Sequence, residues 1–367
     1  MKMDSAEQVG WSNRYQPSDG SIYTFEVTSD ENYLFFMSVS NTMLSLYQLN
    51  AADGSHSQHL TQSSFSVHNT RTLLGMSPDG STLFFNVKTA TEYQLCRWVI
   101  NSGTDFHCFS SPTLAEHTTL GFIDSNDLVV VSFSVSNNDF VNVRRISYDS
   151  VATTTQWSFE IDLVISYGVN NLVHLDIAGD KSYHLISMDS NKLFMTLSLT
   201  DGSVIGNRFK SSETCNKPYS NDIVEYNNKL YMFTNCREPI LYEYDMLLQT
   251  FAQPKKMEVN SQDVWSMYLK NDRLYFSATK VDTTQSWYIM SADIGRISDL
   301  HPKIDDSSST IVTMIASDMP ITAGATVVDT NHQYSFTTNS APSINDIQIS
   351  YVSRIYHVVL IKYVYID

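Results

Sequence analysis

Charge is scarce in this chain. Asp, Glu, Lys and Arg make up 17% of its 367 residues, against about 25% in an average soluble protein, and Ser, Thr, Asn and Tyr take the polar positions instead. Of the charges present, 39 are acidic and 23 basic, a net charge of -16. Tracking a nucleic-acid backbone needs clustered Lys and Arg to neutralise phosphates, so that class is excluded. The tight basic pairs are Arg144-Arg145 and Lys255-Lys256, which read as solvated strand or loop ends. Long apolar runs are also lacking, and a membrane helix needs about 20 such residues. The most apolar stretch, HVVLIKYVYID at 357–367, is short, β-branched and interrupted by Lys362, and reads as a strand. No apolar run follows the opening MKMDSAEQVGW, so it is not read as a signal peptide.

Other absences narrow the chemistry. There is no Cys-x-x-Cys for a zinc ribbon or redox centre. There is no Gly-x-Ser-x-Gly elbow and no phosphate-cradling or dinucleotide loop. Asn-x-Ser/Thr glycosylation triplets are missing despite abundant Asn, Ser and Thr. Amphipathic helical periodicity of useful length is missing too. What remains is strand-forming: 42% hydrophobic and 12% aromatic residues, enough to build a core.

That material is organised as a repeat. Six segments share one plan, in which an apolar strand leads through an Asp, Asn or Gly turn to a second and third strand and a further turn. They span 28–54, 76–103, 122–150, 175–202, 224–250 and 268–296. The apolar residues opening each second strand are Leu34, Leu83, Leu128, Tyr183, Leu230 and Leu274, spaced 44 to 55 residues apart. A four-stranded propeller blade takes about 40–50 residues. Runs such as LFFMSV, LFFNV and LVVVSFSV are apolar almost continuously, as expected of strands covered on both faces.

The pattern SPDG-x-x-LFF at 77–85, with the later YQLCRW strand and closing turn, resembles the TolB-type and WD-repeat propellers over about residues 22–303. The resemblance implies an all-β propeller and carries no functional residue with it, because the Gly-His and Trp-Asp signatures of WD repeats and the Gly pair of kelch repeats are missing. Seven four-stranded blades are expected: an N-terminal arm at 1–18, six blades in 19–303 and a seventh in 304–340. Strands in 341–367 are left for closure or assembly. Six blades with a small C-terminal β extension is the alternative.

Cys96 and Cys108 flank an Asn-Ser-Gly turn near position 102, which places them opposite each other in a hairpin and makes a cross-strand disulfide reasonable. Cys215 and Cys236 enclose a loop and are a second candidate pair. His56-x-x-His59 lacks a third ligand or a general base, and the Asp residues at 53, 79, 180 and 201 are accounted for by turn geometry. SPDGST departs from the sialidase Asp-box in its Gly and Thr offsets. No catalytic, cofactor or metal residue is therefore assigned. The expectation is a non-enzymatic structural or interaction propeller, a subunit of an extracellular or surface assembly, with cytoplasmic residence as the alternative. Protein partners and self-assembly through the C-terminal strand are expected. A lectin-like propeller binding glycans or small ligands is the runner-up, and a propeller hydrolase or lyase the third reading.

Overall fold

Short strands with tight Asp, Asn and Gly turns build successive antiparallel meanders. We describe them from a computed structural model over residues 2–3, 9–11, 13–14, 21–28, 30–39, 43–63, 65, 74–112, 114, 117–133, 140–149, 152–162, 172–187, 192–211, 221–235, 239–256, 263–270, 272–280, 286–294, 314–317, 321–323, 329–339 and 345–346. The first sheet is Ser21–Val27, Tyr33–Val39, Leu44–Asn50 and His56–Gln62. The second is Leu74–Met76, Thr82–Lys88, Tyr93–Val99 and Asp105–Ser110. The third is His117–Phe122, Asp127–Phe133, Phe140–Tyr148 and Thr153–Asp162. The fourth is Leu172–Ala178, Lys181–Ser187, Lys192–Ser198 and Arg208–Ser211. In the fifth, Asn221–Tyr226, Lys229–Asn235 and Pro239–Asp245 are followed by two short strands, Thr250–Phe251 and Lys255–Lys256, both paired to the third. The sixth is Asp263–Lys270, Arg273–Lys280 and Ser286–Asp293.

One backbone hydrogen bond recurs in all six sheets. A residue at the end of the third strand or just after it donates its N–H to the carbonyl of a residue in the turn between the first two strands. The pairs are Ala51 to Asn32, Ile100 to Ser81, Tyr148 to Asn126, Leu199 to Asp180, Met246 to Asn228 and Ile294 to Asp272, at 2.7–3.0 Å. The same turns share side-chain chemistry. In the first, Thr28 Oγ1 donates to Asp30 and accepts from the Tyr33 N–H; in the second, Ser77 Oγ donates to Asp79 and accepts from the Thr82 N–H. Carboxylate capture of nearby donors is the reason Asp is favoured there. Thr28 and its bonded neighbour Asn32, then Ser77 and Ser81, draw the Asp30 and Asp79 carboxyls below the usual range; for Asp79 the Ser125 hydroxyl is the largest cause.

The chain forms two compact units, 1–160 with 323–367 and 161–322. Within the first, Phe35, Met37, Leu44, Leu46 and Leu60 of the first sheet pack on Leu83, Phe85, Val87, Trp98 and Phe106 of the second. The opposite face of the second sheet, with Phe84, Leu95 and Phe109, packs on Leu128, Val130, Ile146 and Tyr148 of the third. Both faces of the second sheet are thus covered, which is why LFFNV has no polar alternation. Gly75 fits this stacking: a Cβ there would lie 3.2 Å from the Phe122 ring of the third sheet. In the second unit, Tyr183, Leu185 and Phe194 of the fourth sheet pack on Leu230, Met232, Tyr242 and Tyr244 of the fifth. Tyr231, Phe233 and Leu241 on its other face meet Met267 and Leu274 of the sixth.

Residues 304–340, expected as a further blade, contribute strands to four different sheets. Met314–Ser317 pairs with Arg208–Ser211 of the fourth, and Ile321–Ala323 joins the third beside Thr153–Asp162. Thr330–Ser335 pairs with Asp105–Ser110 of the second, and Thr337–Asn339 with the His56–Gln62 strand of the first. Each adds a fifth, outermost strand, and together they visit the sheets in reverse chain order. Asn13–Arg14 pairs with Asn345–Asp346. Of the strands expected in 341–367, all but Asn345–Asp346 lie outside the described residues.

Candidate functional site

Cys96 and Cys108 are directly opposite in the second sheet and form a disulfide, as the turn between them implied; both are buried. Cys215 and Cys236 lie outside the described residues. His56 and His59 share the strand His56–Gln62, where the His59 ring stacks on Tyr47 at 4.4 Å. Among the described residues no group of three His, Cys, Asp or Glu side chains is placed to hold a metal, and no helix is long and apolar enough to cross a membrane.

Among the described residues, Ser110, His332 and Glu92 form a grouping with hydrolase residue types. Ser110 Oγ lies 3.2 Å from His332 Nε2, and Glu92 Oε1 lies 3.3 Å from the same nitrogen. A nucleophile relay needs the hydroxyl on one imidazole nitrogen and the carboxylate on the other. Here both fall on Nε2, so the carboxylate cannot orient the ring for Ser110. Glu92 also accepts from Gln94 Nε2 at 2.9 Å, and that bond, with the Ser110 hydroxyl and His332 beside it, holds its carboxyl below the ordinary range. The grouping fastens the Thr330–Ser335 strand to the second sheet.

A second polar grouping holds the residue before that strand to the third sheet. Arg144 and Asp329, 2% and 5% exposed, form an ion pair at 2.9 Å. Arg144 also donates to Ser111 Oγ at 3.1 Å and lies over the Phe109 ring, while Thr153 donates to the other Asp329 oxygen at 3.1 Å. The reading of Arg144-Arg145 as a solvated strand end is corrected here. Arg145 is partly exposed and paired with Asp127, but alternation sends Arg144 to the face that packs on the second sheet, and the distant Asp329 makes its burial tolerable.

A feature of another kind is the turn after the third strand of the fifth sheet. Leu247 and Leu248 are 76% and 72% exposed, by far the most exposed large apolar side chains among the described residues. They are held firmly. Asp245 Oδ1 accepts both of their backbone N–H groups at 2.9 Å, the Gln249 N–H reaches the Asp245 carbonyl at 2.8 Å, and Met246 is tied to Asn228. The Gln249 side chain lies against Gly206.

The repeat supplies the control. Equivalent turns in the first and fourth sheets close with the same backbone bonds, Gly54 to Asn50 and Gly202 to Ser198, at 2.8 Å. At the two tip positions they carry Ala52-Asp53 and Thr200-Asp201, where the fifth sheet has Leu247-Leu248. Where they place glycine at φ 71° and 69°, the fifth sheet places Gln249 at φ 55°. The left-handed region costs a non-glycine residue about 1–2 kcal/mol, and two exposed leucines forgo about 1.5–3 kcal/mol each of burial. The turn folds without them elsewhere in the same chain, so its geometry does not explain them. Sequence reading passed over this tip because each repeat was judged by its strands; aligning the turns would have found it.

No family model matches the chain, and no curated protein does either. Among solved structures, it is similar to the 1.18 Å crystal structure of the uncharacterized protein lmo1340 from Listeria monocytogenes EGD-e. The identity is 12%, over 73% of this chain and 80% of that one, with a TM-score of 0.43.

Proposed function

We propose that the six sheets are the blades of a β-propeller and that the protein is a non-enzymatic interaction scaffold, a subunit of a larger assembly. The observation that carries the reading is the Leu247–Leu248 tip, an apolar contact point held rigid on a turn whose counterparts need no such residues. The repeated turn-to-turn hydrogen bond and the outer strands donated by the C-terminal segment support the scaffold part, since both stiffen the sheets that would present such a contact. The Cys96–Cys108 disulfide favours an oxidising compartment such as an extracellular or surface location. The polar groupings with catalytic residue types fasten strands. The test is the native size of the protein in extracts of its own source under gentle conditions. The reading expects elution well above the 41.6 kDa of one chain; elution at the mass of a free monomer across a range of salt and concentration would sink it.

A further inference from the structure

Resting on that scaffold reading, we propose that Leu247 and Leu248 enter an apolar pocket on a protein partner, and that lysine or arginine side chains rim that pocket. The apolar part follows from the tip itself. Two adjacent leucines on a turn braced by Asp245 and by the bond to Asn228 form a narrow projection, which fits a socket rather than a flat face. Little ordering entropy is lost when such a preformed turn binds.

The basic rim follows from what surrounds the tip. Asp245 stands at its base, and Asp201 belongs to the connection between the third and fourth strands of the fourth sheet, whose Gly206 lies against Gln249. The Ser203 donors hold the Asp201 carboxyl below its ordinary range, so it is anionic at neutral pH. The lysine of the adjoining turn, Lys229, is committed to Glu243. The leucines therefore project from an acidic surround in a chain of net charge -16. That charge opposes approach to an anionic bilayer, and two leucines without a basic collar give little hold on a lipid surface. A second copy would bring the same acidic surround against itself. Charge complementarity leaves a protein with a basic rim.

The experiment uses the full chain and a Leu247→Ser/Leu248→Ser variant, first shown by thermal melting to be as stable as the parent. Proteins retained by the parent from a source extract are purified and their affinities measured for both chains in 50 and 500 mM NaCl. The expected result is a partner whose affinity falls at least fifty-fold with the serines, and at least tenfold with salt. A leucine-dependent partner indifferent to salt would overturn the basic rim. Leucine-dependent binding to vesicles of phosphatidylcholine, alone or with phosphatidylserine, or a leucine-dependent dimer in sedimentation, would overturn the proposal in favour of lipid or a second copy. Partners that bind both chains equally would sink this inference and leave the scaffold reading standing. Retention of no protein at all would sink both.

Discussion

Two buried bases in the fourth sheet make stability depend on pH. Burial lowers the His184 pKa to about 3, with Nε2 paired to Ser182 Oγ at 2.9 Å, and lowers that of Lys192 to about 7. Each group binds a proton more readily in the unfolded chain, where the values are about 6.5 and 10.4. Stability from His184 is therefore full above about pH 6.5 and is lost as pH falls toward 3. That from Lys192 grows between about pH 7 and 10. The slope in each window is at most about 1.4 kcal/mol per pH unit. Urea titrations at pH 4.5, 5.5 and 7 are expected to show rising midpoints, and His184→Leu should flatten that rise. The Arg144–Asp329 pair gives a second expectation at this scale. Asp329→Ala leaves a buried guanidinium unpaired and should cost about 3–5 kcal/mol, whereas Arg144→Met with Asp329→Leu should cost clearly less. Arg144 also explains why part of the polar framework was not legible in the sequence. Its partner is 185 residues away, and no local pattern records such a pairing.

Turns and strands differ in how openly the sequence states them. The strand-turn-strand units were legible because alternation, aromatic content and Asp or Asn turns are all local. Leu83, Leu128, Tyr183, Leu230 and Leu274 each sit at the start of a second strand and are buried, as their spacing implied. The disulfide was legible for the same reason, being set by one hairpin turn. Replacing Cys96 and Cys108 by serine should cost about 3 kcal/mol for a loop of this length, read from denaturant midpoints with and without reductant. The destination of the C-terminal strands was not legible. HQYSFTT reads as strand, but an outer edge accepts any extended segment that reaches it, and the choice is fixed by distant side chains: Phe336 inserted among Phe85, Trp98 and Phe106, and His332 beside Ser110 and Glu92. At the fifth-sheet turn, Gln249→Gly should raise stability by about 1 kcal/mol, because it removes the left-handed penalty. Leu247→Ser should leave stability within about 0.5 kcal/mol. A large loss in the Leu247→Ser chain would mean that the tip serves the fold after all.

Within each unit the sheets stack through aromatic and aliphatic faces, and one late segment completes four of them. A chain ending at residue 320 would leave the outer edges of the first, second and third sheets unpaired. Such a chain is expected to aggregate and to melt well below the parent, since a bare edge is a template for pairing with another chain; light scattering during a thermal ramp would show it. Order of synthesis gives the same feature another meaning. About 280 residues separate Gln62 from Asn339, roughly 15–55 s of translation at 5–20 residues per second. For that interval the first sheet has one flank open, and wrong pairing of the nascent chain is expected to be most frequent before Thr337–Asn339 has been made.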